Sequence, residues 1–154
     1  MEIREPIGRL DINQHKKISR VYNQFDKLLV ELRERELPEE IVISINSEIE
    51  NMDLVSGSEK EMRKQIRRTQ SRVLKLIEKK LKLVPKKHYL KTWLMVGMAV
   101  FGLPFGVAFG ASFGNMGLLG VGLPIGMAIG IAVGSAMDKK AFDTGKQLDL
   151  EIKY

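Results

Sequence analysis

From Thr92 to Met137 the chain runs for 46 residues without an Asp, Glu, Lys, Arg or His. No other feature restricts its folding so severely. A helix needs ~20 predominantly apolar residues to cross ~30 Å of hydrocarbon, so a block of this length holds two crossings and a turn. The expected arrangement is a helix over about 91–112, a turn around Gly114 to Gly120, and a second helix over about 120–137. A buried hairpin in a water-soluble fold is the competing arrangement. An 85-residue polar partner, however, offers too little surface to cover two helices that are apolar all round. Glycine-rich β-structure fails on period, because the repeat is four rather than two and Pro104 and Pro124 would interrupt a ladder.

The block carries an internal repeat. Residues 101–115, FGLPFGVAFGASFGN, align with residues 121–135, VGLPIGMAIGIAVGS. Gly102, Gly106, Gly110 and Gly114 fall opposite Gly122, Gly126, Gly130 and Gly134, and the Leu-Pro pair at 103–104 returns at 123–124. Four residues turn a helix by ~400°, so each glycine stripe drifts by only ~40° per step. Lipid supplies no hydrophobic force between helices; association depends on close van der Waals contact, which glycine allows. The eight glycines are therefore candidate helix-packing or pore-lining positions. Pro104 and Pro124 are candidate hinges at equivalent depth, since each removes a helical hydrogen bond. The stripes can meet each other within the chain or meet copies in neighbouring chains. Thr92, Ser112, Asn115 and Ser135 are the block's few polar side chains, so any conduction path would be narrow.

Charge outside the block is polarised. Residues 1–57 carry a net −4, residues 58–91 a net +10 and residues 138–154 a net of zero. The basic stretch stands directly before the apolar block. Lys86, Lys87 and Lys91 precede the first apolar helix, Lys139 and Lys140 follow the second, and the turn is uncharged. The positive-inside rule then puts both termini in the cytoplasm, with Tyr89 and Trp93 as interface anchors. Candidate anion or lipid contacts are Arg63, Arg67, Arg68, Arg72, Lys75, Lys79, Lys80 and Lys82, continued by Lys86, Lys87 and Lys91. Such a segment can hold anionic lipid headgroups at ~1 kcal/mol per residue near the surface. It can bind a nucleotide or nucleic acid through phosphate contacts, or be a solvated face balanced by the acidic first third. Lys79 to Lys91 suit lipid; Arg67, Arg68 and Arg72 lie farther from the block and suit a phosphorylated ligand.

Three amphipathic helices are legible before the block. The first runs from about Asp11, as N-cap, to about Glu36, with Ile18, Tyr22, Phe25, Leu28, Leu29 and Leu32 on one face. Pro38 opens a second over about 38–54, with Ile41, Ile45, Ile49 and Met52 inward. After a turn in VSGSEKE, Ser58 and Glu61 form a capping box for a third, which runs to about Val84 before Pro85. Its seam is Met62, Ile66, Thr69, Val73, Leu76 or Ile77, and Leu81. The domain plan is a helical domain over 1–85, a basic linker over 86–91, the hairpin over 92–137 and a tail over 138–154. In the tail Leu148, Leu150, Ile152 and Tyr154 alternate with polar residues, the pattern of a short strand, unless the segment is disordered.

Catalytic chemistry is not in view. The chain has no cysteine, which excludes disulfides and thiolate metal sites and suits a reducing compartment. Met1 to Pro6 is acidic with no apolar run after it, so no secretory signal is expected. His15 and His88 do not stand at ligand spacing, and no Ser/His/Asp set can be assembled. The DTGKQ stretch, Asp143 to Gln147, is not a phosphate loop, because Lys140 stands where glycine is needed and Gln147 where Ser or Thr is needed. No enzyme, cofactor or metal site is expected.

Residues 89–138, from YLKTW through FGLPFGVAFGASFGN and VGLPIGMAIGIAVGS to SAMD, resemble bacterial glycine-zipper membrane proteins. The shared pattern is a Leu-Lys-Thr-Trp opening, two Gly-every-four helices and a short Asn-containing turn. The resemblance spans about a third of the chain. It implies a two-helix hairpin of the bacterial inner membrane that self-associates, and it implies no activity. The sequence thus predicts an all-α chain, a cytoplasmic three-helix domain followed by a transmembrane hairpin, forming a homo-oligomer. The expected role is a channel-like or membrane-permeabilising effector controlled by the cytoplasmic domain, as in bacterial defence. The alternative is a non-conducting anchor that recruits a cytoplasmic partner, anionic lipid or nucleic acid to the inner membrane.

Overall fold

Apolar residues spaced by three and four make the first helices and bury one face of each. In the computed structural model, which describes residues 2–6, 16–53 and 58–152, helix α1 is Lys16–Arg33 and α2 is Glu39–Asp53. Helix α3 is Glu59–Leu81 and packs against both. Phe25, Leu28, Leu29 and Leu32 of α1 meet Ile45 and Ile49 of α2 and Val73 and Ile77 of α3, all fully buried. Between the two seam candidates on α3, Ile77 takes the core and Leu76 is half-buried. Asp11 as a cap, the turn at 55–57 and the tail residues 153–154 lie outside the described residues.

The helix boundaries follow local chemistry. Pro38 presents its carbonyl to the Ile41 amide at 2.9 Å at the start of α2. Ser58 and Glu61 form the capping box reciprocally: the Ser58 hydroxyl accepts from the Glu61 amide and the Glu61 carboxylate accepts from the Ser58 amide. Those bonds, the Ser58 backbone first and its hydroxyl second, hold the Glu61 carboxyl below its ordinary pKa. Helix α3 ends three residues before the expected Val84. Lys82 turns left-handed at φ 60°, and the Leu83 amide reaches back to the Ile77 carbonyl at 3.3 Å. That bond, reaching back six residues, closes the helix end, and Leu83 lies in the core.

Residues at both edges of the sequence complete this unit, which comprises the described residues up to Val84 together with those from Leu148 onward. Residues 2–6 are stitched to the helices by side chains. Asn46, buried on α2, accepts from the Arg4 amide at 2.8 Å and donates to the Glu2 carbonyl at 3.0 Å. Arg33 donates to the carbonyls of Ile3 and Arg4, and Tyr22 donates to the Pro6 carbonyl. The tail departs from expectation. No strand forms among the described residues. The alternation instead sinks Leu148 and Ile152 into the helical core, while the Leu148 amide donates to the Val84 carbonyl at 2.9 Å and the Asp149 amide to Glu31 at 3.0 Å. An extended segment that finds single acceptors, the Val84 carbonyl beyond the end of α3 and the Glu31 side chain on α1, needs no ladder. Residues 148–152 therefore belong with the first unit rather than with a separate tail beginning at 138.

The second unit, Pro85–Gln147, is an antiparallel helical hairpin inserted between α3 and that returning segment. Its first arm is α4 (His88–Gly97), a π-helical turn (Met98–Gly102) and α5 (Leu103–Ser112), continuous from His88 to Ser112. A 3₁₀ turn (Met116–Leu118) leads into α6 (Leu119–Asp143). The second arm thus continues past Met137 to Asp143, and the first begins inside the expected linker. The bend is short: Asn115 accepts from the Gly117 amide at 2.9 Å, and Gly114 takes φ +63°.

Candidate functional site

The hairpin's inner seam is built of glycines, and the structure shows what occupies the space their side chains leave. A Cβ on Gly126 would lie 2.5 Å from both the Gly102 nitrogen and the Gly97 oxygen. One on Gly122 would lie 2.7 Å from the Gly106 Cα, one on Gly130 would lie 2.9 Å from the Leu94 Cα, and one on Gly134 would lie 2.6 Å from the Leu90 Cα. In return, a Cβ on Gly102 would lie 3.2 Å from the Gly122 oxygen, and one on Gly106 would press more tightly still on the Leu119 oxygen. These contacts are backbone on backbone, so neither arm can accept even an alanine there without moving. Two of the eight candidates play other parts. Gly110 makes ordinary contact with Met116 at the closing turn, and Gly114 is the left-handed turn residue with no atom within 4 Å of its would-be Cβ.

A seventh seam glycine comes from outside the repeat. Gly97 precedes Gly102 by five residues, and on a uniform α-helix five residues overshoot a full turn by ~140°. The π turn absorbs the extra residue. The Leu103 amide bonds the Met98 carbonyl five residues back, and Gly97 stays on the seam, its would-be Cβ 2.9 Å from the Gly130 Cα. Pro104 stands just after this turn, where a missing N–H and a bulky ring are tolerated, whereas Pro124 sits inside regular α6. The two candidate hinges thus occupy different backbones, although their sequence contexts match. The five-residue interval followed by Leu-Pro was the available signal for Gly97.

The large apolar side chains turn the other way. Phe105, Phe109, Phe113, Val107, Leu123 and Ile131 are all exposed on the outside of the hairpin. In the most apolar stretch of each arm only 22% and 17% of residues are buried, and the arms span 25 and 28 residues. At 1.5 Å per residue these are about 37 and 42 Å long, more than a hydrocarbon core requires. Two helices are thus long and apolar enough to cross a membrane.

No protein-family model, curated protein or solved structure matches the chain. Geometry alone bears on its role.

At the open end of the hairpin a charge replaces the glycines. Asp138, the first ionisable residue after the apolar block, sends its carboxylate across to the start of α4. Its two oxygens accept from the Tyr89 amide at 3.1 Å and the Leu90 amide at 2.9 Å. The α4 N-cap, Lys87, is left-handed at φ 59° and offers no side-chain cap, so Asp138 supplies one from the opposite arm. The Asp138→Ala substitution is expected to lower stability by about 0.5–2 kcal/mol, the range for a lost cap. It should also speed amide exchange at Tyr89 and Leu90 while leaving exchange in α1 unchanged. Unaltered exchange at those two amides would show that the carboxylate does not hold the arms together.

The basic candidates divide between the units. In the first, Arg72 pairs with Glu48 and Lys80 with Glu40, each at 3.1 Å, while Arg67, Arg68, Lys75, Lys79 and Lys82 are exposed and Arg63 is half-buried. Lys86, Lys87 and Lys91 belong to the second unit and are exposed there. Tyr89 and Trp93 lie half-buried on the first turns of α4. Among the described residues no three His, Cys, Asp or Glu side chains gather in a metal-holding group.

Proposed function

We propose that this chain is an integral protein of the bacterial inner membrane whose hairpin is closed within one chain and anchors a helical domain at the cytoplasmic face. The role is recruitment or presentation, not catalysis. The observation that carries it is the orientation of the apolar block. Its seam glycines are packed against the backbone of the opposite arm, while many of its large side chains are exposed on the outside, an arrangement that water penalises and lipid rewards. Both arms leave from and return to the first unit at Val84 and Leu148, which are hydrogen-bonded to each other, so both ends of a spanning hairpin would emerge on that unit's side. Lys86, Lys87, Lys91, Lys139 and Lys140 at those ends fit the cytoplasmic side, where they can meet anionic headgroups. The likeness to glycine-zipper membrane proteins enters the proposal in a modified form, with the zipper joining two arms of one chain. A conducting oligomer would have to assemble through the outer faces instead.

The test is extraction and reconstitution. The chain should resist alkaline extraction from membranes, run as a monomer in mild detergent and pass neither dye nor ions in liposomes. Release into the aqueous phase would defeat the membrane assignment. A defined oligomer with measurable flux would defeat the anchor and restore the channel-like effector.

A further inference from the structure

The cations on α3 form two groups with different surroundings. Toward the C-terminal end, a concavity of about 330 Å³ holds Arg72, Lys75 and Lys79 but also Glu48, which neutralises Arg72 directly. Toward the N-terminal end, a concavity of about 480 Å³ is lined by Lys60, Arg63, Lys64, Arg67, Arg68 and Ser71, with no carboxylate among them. Among the described residues, no ion pair engages any of these five cations. The acids that might have done so are committed elsewhere: Glu50 of α2 is paired with Arg4, and Glu61 caps its own helix at Ser58.

Helix geometry orders the five. Positions 60, 63, 64, 67 and 68 follow the three-and-four spacing that stacks side chains along one face, over about 12 Å of axis. Arg72, the nearest cation of the other group, is answered by Glu48, and eleven residues separate Arg68 from Lys79, about 16 Å, beyond the ~8–10 Å Debye length in physiological salt. Lys79 and Lys80 therefore act independently of this face. Arg67 and Arg68 add planar guanidinium forks suited to bidentate phosphate contacts, and the Ser71 hydroxyl adds a neutral donor. No aromatic residue lines the concavity, so there is no platform on which a base would stack.

We infer that this N-terminal face of α3 is a binding site for a soluble anion carrying two or more adjacent phosphates, recognised through the phosphates rather than through any base. A single phosphate would leave most of the five charges unanswered, whereas a short phosphate chain matches their length and sign. The site makes no use of the hairpin, so it stands or falls separately from the membrane assignment.

The probe is inorganic triphosphate, titrated calorimetrically into the full chain in detergent. Saturable binding that weakens with added salt is expected. The double variant Arg67→Gln/Arg68→Gln should lose about tenfold or more in affinity, as charge-assisted hydrogen bonds are removed. Lys79→Gln/Lys80→Gln should stay within about twofold, because those groups lie beyond the screening length. Absence of saturable binding would overturn the inference, as would equal losses in both variants, which would mean net charge alone is sensed. Binding confined to phosphatidylglycerol vesicles would reassign the face to lipid, and binding confined to single-stranded oligonucleotide would reassign it to nucleic acid; either result overturns the inference. Amide exchange of the unaltered chain gives a check that no variant can spoil: triphosphate should slow exchange over 60–71 and not over 75–81, and no slowing there would equally overturn it.

Discussion

Gly126→Leu is expected to force the two apolar arms apart. The leucine Cβ alone would lie 2.5 Å from the Gly102 nitrogen and 2.5 Å from the Gly97 oxygen, and both obstacles are backbone, which cannot rotate away. Overpacking against movable side chains costs typically ~1–3 kcal/mol, so a collision with a rigid helix should cost at least about 3 kcal/mol. Leucine-bearing helices pack with axes 8–10 Å apart, a spacing that this seam does not allow. Distances between spin labels on α5 and α6 should lengthen and broaden, and labelling is clean because the chain has no native cysteine. Gly120→Leu is the matched control, since no atom lies within 4 Å of its would-be Cβ. It shares the residue change, the helix and the apolar setting, and should leave the distances alone. If the two variants behave alike, backbone contact is not what joins the arms. A change in oligomer size with unchanged intramolecular distances would instead place the glycine seam between chains.

Leu148→Ala should damage the helical domain although the substitution lies more than sixty residues beyond α3. Leu148 is fully buried among α1–α3, and truncating such a leucine costs ~2–5 kcal/mol in transfer and cavity terms. Against a typical total of ~5–15 kcal/mol, that is a large share. Proteolysis of the native chain should then cut within α1–α3 at protease concentrations that leave the parent intact. Leu150→Ala, at a half-buried position two residues on, should cost distinctly less. Equal resistance of parent and Leu148→Ala would mean the returning segment contributes nothing to the core.

Much of the helical architecture was readable one residue at a time. The seam of α1 followed from apolar spacing, α2 from the proline before it, and the start of α3 from Ser58 and Glu61, because each signal acts within one or two turns. The end of α3 was not readable. Lys82 adopts a left-handed backbone that glycine usually takes, and what favours it is the tertiary burial of Leu83. The tail misled for a related reason. Strict alternation of Leu148, Leu150 and Ile152 reports an extended chain with one buried side, and says nothing of whether that side rests on a sheet or on helices.

The apolar block divides in the same way. Composition by itself determined that two long helices would lie in 46 uncharged residues, because uncharged length is a property of the chain and needs no partner. The four-residue glycine period likewise determined that some surface would approach a backbone closely. Only the tertiary structure decided which backbone. It set the glycine stripes of α5 and α6 against each other, drew in Gly97 through a π turn, left Gly114 to the bend and placed Asp138 over the start of α4. Those choices depend on register between segments some thirteen to fifty residues apart, which a local pattern cannot encode because contact between two faces is a property of the pair.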